Sequence, residues 1–361
     1  MSNGDPLYRT RSESIARSAV FSEVGCRRGR SSVSENPDPN PFGSVSEAEL
    51  RERFERTDYV ADDRTVTTVS LALGLGRPLL VEGPPGSGKT ELAKTLADGF
   101  ETELIRLQCY EGLTAENALY EWNYTKQLLA VQGGERSVAA NDLAGDPDPG
   151  VDSNGSGVGR GSVFDEEYLL ERPLLRALRA GGGRPPVLLI DEIDRADEAF
   201  EAFLLEFLSD FQVSIPEFGT IAAAVPPVVI LTSNRTRGLG DALKRRCLYL
   251  HVEPPSFETE REIVRRKVPE LDAAIAAEVC AVVEALREES FLKQPGVAET
   301  LDWARAVAQL RSDADAESLS TGEIQRTIGC LLKEAEDVTR VDTELLERLH
   351  AAASAAPSPP E

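Results

Sequence analysis

The stretch from Leu79 to Leu96, LLVEGPPGSGKTELAKTL, constrains the fold more than any other part of the chain. A short apolar run, Leu79-Leu80-Val81, stops at Gly83-Pro84-Pro85-Gly86-Ser87-Gly88, and an amphipathic helix opens at Lys89-Thr90. Buried strand, glycine-rich loop and helix thus follow one another with the G-x-x-x-x-G-K-T spacing met in full. The glycines let the backbone curl so that successive N–H groups point at a phosphate chain, and the helix adds the positive end of its dipole. The candidate nucleotide-contacting residues are therefore Gly83, Pro84, Pro85, Gly86, Ser87, Gly88, Lys89, Thr90 and Glu91. Lys89 is placed to reach the terminal phosphates of a nucleotide, and the Thr90 hydroxyl to ligate Mg²⁺.

Composition narrows the classes. A formal charge of −23, from 62 acidic against 39 basic residues, argues against a generic nucleic-acid binder, which needs basic patches. Lysine is scarce beside arginine, a bias that fits a soluble protein from a high-salt cytoplasm, where a Debye length of about 3 Å tolerates such self-repulsion. Five scattered cysteines without a C-x-x-C pair read as free thiols of a reducing cytosol. Two histidines leave little material for a histidine metal site or a Ser-His triad. No apolar run approaches the roughly 18–20 residues needed to cross a membrane, and the first thirty residues lack the apolar core of a secretory signal. The expectation is a cytoplasmic protein.

Along the chain, residues 1–45 carry Ser, Arg, Pro, Asn and Gly without periodicity and are expected not to fold. Ser46-x-x-Glu49 has the form of a capping box opening a helix toward Thr57, and a second helix runs through Leu73. Glu103 to Cys109 alternates as a strand, and Thr114 to Val131 has a helical pattern carrying Tyr120, Trp122 and Tyr124. Residues 133–162 are dominated by Gly, Asp, Ser, Asn and Pro and read as a flexible acidic insert. A helix over Arg172–Arg179, a strand over Pro186–Ile190, a helix over Ala196–Asp210, a hairpin over 212–222, and strands over Pro227–Leu231 and Leu248–Val252 follow. Near-continuously apolar strands alternating with helices predict a parallel, three-layer α/β sheet. From Pro254 the pattern is wholly helical, over 258–267, 271–288, 298–310, 321–335 and 341–351, which predicts a small all-α domain; residues 352–361 are expected to be disordered.

The second chemical element is Leu188-Leu189-Ile190-Asp191-Glu192, about 100 residues after the glycine-rich loop. A buried strand sets Asp191 at its carboxyl end, where it can hold Mg²⁺, and Glu192 is then placed to polarise a water for in-line attack on the γ-phosphate. The third is the strand ending at Asn234, whose neutral amide can orient that water without adding charge.

With these pieces in place the chain resembles the AAA+ ATPases, and within them the MoxR-like branch, over residues 46–345. GPPGSGKT at 83–90, LLIDEID at 188–194, TSN at 232–234 and ALKRRC at 242–247 carry the resemblance. The longer stretches YEGLTAENALYEWNYTKQLL, FLLEFLSDFQVSIPEFGTI and SNRTRGLGDALKRRCLYLHVEPPSFETERE look most like the accessory ATPases of carbon monoxide dehydrogenase maturation. The resemblance implies a P-loop NTPase core over 46–253 followed by a helical lid over 254–351. It also implies a ring, commonly a hexamer, with ATP at subunit interfaces and a neighbour's arginine stabilising the transferring phosphoryl, a role worth about 10³–10⁵ in rate. Arg246, or its neighbour Arg245, stands where that arginine is expected; read from the residues alone, the pair is a solvated helix end. The hairpin at 212–222 and the segment 126–172 correspond to family insertions that face a partner or the pore, and Tyr59-Val60 would lie near the adenine. One departure is clear: where many relatives carry a sensor arginine, this chain reads GVAETLDWARAV, with Arg305 one turn into the helix.

The function so implied is an ATP hydrolase that spends turnover on remodelling or maturing a partner protein, with a von Willebrand factor A domain protein as co-worker and a metalloenzyme or protein complex as client. The alternative from the same family is a nucleic-acid motor or restriction-type subunit, which the acidic surface opposes.

Overall fold

Strand β1 (Leu79–Glu82) is buried along its whole length, and the rest of the sheet is laid down around it. The computed structural model describes residues 40, 42–129, 168–180, 184–215, 219–311 and 318–357. Helices α1 (Glu47–Arg56) and α2 (Asp63–Leu75) precede β1; α3 (Lys89–Gly99), β2 (Leu104–Gln108), α4 (Ala115–Leu119), β3 (Tyr120–Trp122), β4 (Leu169–Glu171) and α5 (Pro173–Arg179) follow it. Next come β5 (Val187–Asp191), a 3₁₀ turn at Ile193–Arg195, α6 (Glu198–Asp210), β6 (Gln212–Ile215), β7 (Gly219–Ala222), β8 (Val228–Ser233), α7 (Asp241–Arg246) and β9 (Leu248–His251). The main sheet has five strands in the order β2-β5-β8-β1-β9, all parallel.

Both faces of this sheet are covered, as a parallel sheet requires. The period of two divides each strand between two cores. Leu188 and Ile190 join Leu80, Leu231, Leu174, Phe200 and Leu204 on one face. Val187 and Leu189 join Leu79, Val81, Leu50, Val66, Leu92 and Leu96 on the other. The result is the parallel, three-layer α/β sheet that the alternation predicts.

Beyond β9 the described chain is helical: α8 (Phe257–Lys267), α9 (Ala273–Glu288), α10 (Val297–Arg311), α11 (Thr321–Thr327), a 3₁₀ turn at Ile328–Cys330, α12 (Ala335–Thr339) and α13 (Thr343–Ser354). These elements have their own core, centred on the fully buried Trp303, whose indole N–H donates to Thr327 Oγ1 at 2.7 Å. Buried Glu260 accepts both guanidinium nitrogens of Arg287, at 2.6 and 2.8 Å, and the Thr300 hydroxyl at 2.7 Å. Arg287 also donates to the Pro295 carbonyl, so this pair fixes the turn that opens α10.

Four expectations change. Ordered packing begins ahead of Ser46: Phe42 is buried and meets Phe100 at 4.5 Å between ring centroids, and the Asn40 amide donates to the Leu73 carbonyl. At the other end, α13 runs to Ser354 and buries Ala353, past the expected limit of order at Ala351. The helix expected over Thr114–Val131 is interrupted, because Tyr120 turns extended (φ −157°) and residues 120–122 pair antiparallel with Leu169–Glu171; helix resumes over 124–129. The helix expected over 321–335 breaks after Thr327, whose hydroxyl is engaged by Trp303, and restarts at Ala335. The hairpin is present as β6 and β7. Residues 1–39 and the acidic insert 133–162 lie outside the described residues.

Phe42→Ala is expected to lower the free energy of unfolding by about 3 kcal/mol, the usual cost of emptying a buried phenylalanine site. Denaturant unfolding checks this, and an unchanged midpoint would show that the segment ahead of α1 is not part of the fold.

Candidate functional site: the carboxyl edge of the sheet

The glycine-rich loop leaves β1 at the edge where β5 and β8 also end. Gly83 N–H donates to the Ser233 carbonyl, and a Cβ at Gly83 would stand 2.1 Å from the Val252 carbonyl oxygen, so only glycine fits there. Gly88, the residue that caps α3, has φ +88°, a conformation side chains resist. Ser87 Oγ donates to the Pro84 carbonyl at 2.9 Å. Lys89 is buried, and its ammonium donates to the carbonyls of Gly83 and Pro84 at 2.9 and 2.7 Å. Burial lowers the pKa of this lysine, against the opposing pull of Asp191, Asp194 and Glu192. Of the loop-helix residues, Glu91 is turned elsewhere, toward Lys94 and Lys267, each at 3.3 Å.

Asp191 ends β5 almost completely buried. Its Oδ1 accepts from the Thr90 hydroxyl at 3.1 Å and from the Thr232 hydroxyl at 2.5 Å, so one carboxylate oxygen ties α3, β5 and β8 together. Thr90 and Asp191 are hard oxygen donors of the type Mg²⁺ takes. Among the described residues no group of three or more His, Cys, Asp or Glu side chains is arranged to hold a metal ion. One hydroxyl and one carboxylate without a protein cage suit a cation that brings phosphate oxygens and waters with it.

Glu192 follows with φ +55° and ψ +50°, a left-handed backbone for a non-glycine residue, which is strain retained where the surroundings over-determine it. Its N–H donates to Thr232 Oγ1 at 2.9 Å, and its Oε2 accepts from Gln108 and Arg195, both at 3.1 Å. Asn234 lies just past β8, with its N–H donating to Asp194 Oδ1 at 3.2 Å. Asp194 also accepts from Thr236, at 2.9 Å from N–H and 2.6 Å from the hydroxyl. Burial pushes the Asp194 carboxyl up, but these hydrogen bonds outweigh it and hold the pKa below the ordinary value. Asp194 therefore sets the loop on which Asn234 sits. Buried Glu201 on α6 continues the support, accepting from Arg237 and from the Gly240 N–H that leads into α7.

Lys89, Thr90, Asp191, Glu192 and Asn234 thus converge on one edge. Arg246 does not join them. It precedes Leu248, which pairs with Leu79 at the start of β1, whereas the glycine-rich loop follows Glu82 at the other end of that strand. The exposed Arg246 donates to Ser209 Oγ at 3.1 Å, and Arg77 donates to the carbonyls of Arg245 and Arg246. Arg305 pairs with Asp302 on the surface of α10. What does reach the loop from the helical part is the turn before α10: Gly296 lies against Gly86, and Val297 N–H donates to the Gly86 carbonyl at 3.3 Å.

Sequence reasoning passed over Arg106, Gln108, Thr232, Asp194 and Gly296. Arg106 and Gln108 carried a usable signal, since their spacing of two puts them on one face of β2, in register with Leu189 and Asp191. Asp194→Ala should cost about 2 kcal/mol of stability near neutral pH, because three donors lose their acceptor. Since the folded carboxyl titrates below its unfolded value of about 3.9, this contribution is present above that pH and lost below it. The gap between wild type and Asp194→Ala should therefore narrow in denaturant melts as pH falls below about 4; a pH-independent gap would contradict the assignment.

Residues 79–253 match the family described as "ATPase family associated with various cellular activities (AAA)". An uncharacterized protein of Staphylococcus haemolyticus is 26% identical over 263 residues, covering 71% of this chain and 85% of its own. A second, from Staphylococcus saprophyticus, is 24% identical over 280 residues, covering 75% and 91%. Among solved structures, a variant of Thermotoga maritima RuvB aligns with a TM-score of 0.44 at 18% identity, covering 79% of this chain and 73% of that one. The Thermotoga maritima RuvB Holliday junction branch migration motor aligns with a TM-score of 0.41 at 17% identity, covering 85% and 76%. No described helix is long and apolar enough to cross a membrane. Loop, buried acidic strand end and family match coincide on the same residues: 79–253 are an AAA ATPase domain, and the chain is an ATP hydrolase.

Proposed function

We propose that this chain is a MoxR-like AAA+ ATPase that works in the cytoplasm as a ring, hexameric by family habit, and hydrolyses Mg²⁺-ATP between subunits to remodel a partner protein. The observation that carries the interfacial part is the position of Arg246, at the opposite end of β1 from the loop that binds phosphate. An exposed arginine there is out of reach of its own site and free to complete another subunit's.

In this reading the loop N–H groups and Lys89 bind the phosphates, and Thr90 and Asp191 hold the metal. Mg²⁺, when bound, neutralises charge on the β- and γ-phosphate oxygens. Glu192 polarises the attacking water, and its strained backbone, fixed through Thr232, aims the carboxylate. Asn234 orients that water, on a loop clamped by Asp194. The α/β part over 46–253 is the motor, and the helical part over 254–351 its lid. Remodelling, rather than transport along nucleic acid, is favoured by the acidic charge of −23. The β6–β7 hairpin supports a client-facing role, since Gln212, Ser214, Gly219 and Thr220 are exposed on it. A von Willebrand factor A domain protein and a metalloenzyme client follow from the resemblance of the stretches around 110–129 and 203–221.

Glu192→Gln should retain ATP binding while turnover falls about 10²–10⁴-fold, and Lys89→Ala should lose binding; equal ATPase rates in wild type and Glu192→Gln would sink the mechanism. Arg246→Ala should bind ATP without hydrolysing it, and mixing it with Glu192→Gln subunits should restore part of the rate. ATPase activity in a monomer, independent of protein concentration, would show the site to be complete within one chain.

A further inference from the structure

Arg106 stands in the middle of β2 with its side chain about half exposed, 51%, against 4% for its partner Asp191. One of its guanidinium nitrogens donates to Asp191 Oδ2 at 2.5 Å and to Gln108 Oε1 at 2.6 Å. The two oxygens of Asp191 are thus divided: Oδ1 receives the Thr90 and Thr232 hydroxyls, and Oδ2 receives Arg106. Because the Gln108 oxygen is taken by Arg106, its amide must present the NH₂ group onward, and that group donates to Glu192 Oε2 at 3.1 Å. Asp191, Arg106, Gln108 and Glu192 form one continuous chain across the ends of β2 and β5.

A buried carboxylate is costly unless a cation accompanies it, and arginine cannot shed its charge to make way for another cation. We infer that Arg106 is a resident counter-ion of Asp191 that competes with Mg²⁺ for this carboxylate. The inference rests on the reading that Asp191 and Thr90 hold the metal. A guanidinium within hydrogen-bond distance of Asp191 opposes a divalent cation at the same carboxylate through like-charge repulsion. The exposed half of the Arg106 side chain gives it a solvated position to move to, so the exchange requires no change in the sheet.

The test is a Mg²⁺ titration of fluorescent ATP-analogue binding to the full chain, in wild type, Arg106→Gln and Arg106→Lys, with an EDTA arm. Half-saturating Mg²⁺ is expected to fall about two- to fivefold in Arg106→Gln, the range that removal of one half-exposed ion pair supports. Arg106→Lys, which keeps the charge but not the planar reach to both partners, should lie between the two. Thermal unfolding without nucleotide or metal gives an independent readout: Arg106→Gln should melt below wild type, and the deficit should close at saturating Mg²⁺ and nucleotide. An unchanged or raised Mg²⁺ requirement in Arg106→Gln, with metal-dependent nucleotide binding intact in wild type, overturns the inference alone. Nucleotide binding by wild type that is indifferent to Mg²⁺ overturns the metal-site reading, and this inference with it.

Discussion

A single buried carboxylate organises the working edge of this molecule. Asp191 is nearly inaccessible to water, and a carboxylate so placed persists only where donors and a cation surround it. The Thr90 and Thr232 hydroxyls and the Arg106 guanidinium supply that surround from α3, β8 and β2. Four elements distant in sequence are thereby held to one point, and the phosphate loop, the strained Glu192 and the loop of Asn234 take their positions from it. The sheet order places β5 between β2 and β8, so the carboxylate draws partners from a strand on either side.

Two further buried carboxylates extend this arrangement outward. Asp194 clamps the residues from Asn234 to Thr236, and Glu201 receives Arg237 and the Gly240 N–H. The loop between β8 and α7 is therefore fastened at both ends by acids that belong to the segment after β5. Such a loop has few ways to relax independently, since freeing either end leaves an unpaired buried charge. The strongly acidic composition is thus used in two ways: most of it is solvated surface, while a few carboxylates are internal fasteners.

What could be read from the sequence was whatever is local or periodic. The strand–loop–helix at 79–96, the apolar runs of β5 and β8, and the hairpin each carry their signal within a few residues. Lys89, Thr90, Asp191, Glu192 and Asn234 were legible because each follows a buried strand, and they meet at one edge of the sheet. The interruption at Tyr120 was not legible, because its cause is distant: residues 120–122 turn extended to pair with 169–171. For Arg106 the spacing with Gln108 was legible, but its contact was not. On a strand exposed at one face, an arginine reads as a solvated charge; only the fold shows its guanidinium reaching Asp191 from a position opposite Leu189.

The meeting of Gly86 and Gly296 has a mechanical meaning. A Cβ built on Gly86 would lie 3.0 Å from Gly296 Cα, and one on Gly296 3.1 Å from Gly86 Cα, so backbone bears directly on backbone there. Side chains between moving parts act as compliant padding, since they change rotamer before the main chain shifts. No padding exists at this point. The turn is the root of a 15-residue helix, roughly 22 Å long at 1.5 Å per residue, whose far end lies well away from the phosphate loop. Any side chain added at either glycine would act as a wedge between the loop and the root of this helix.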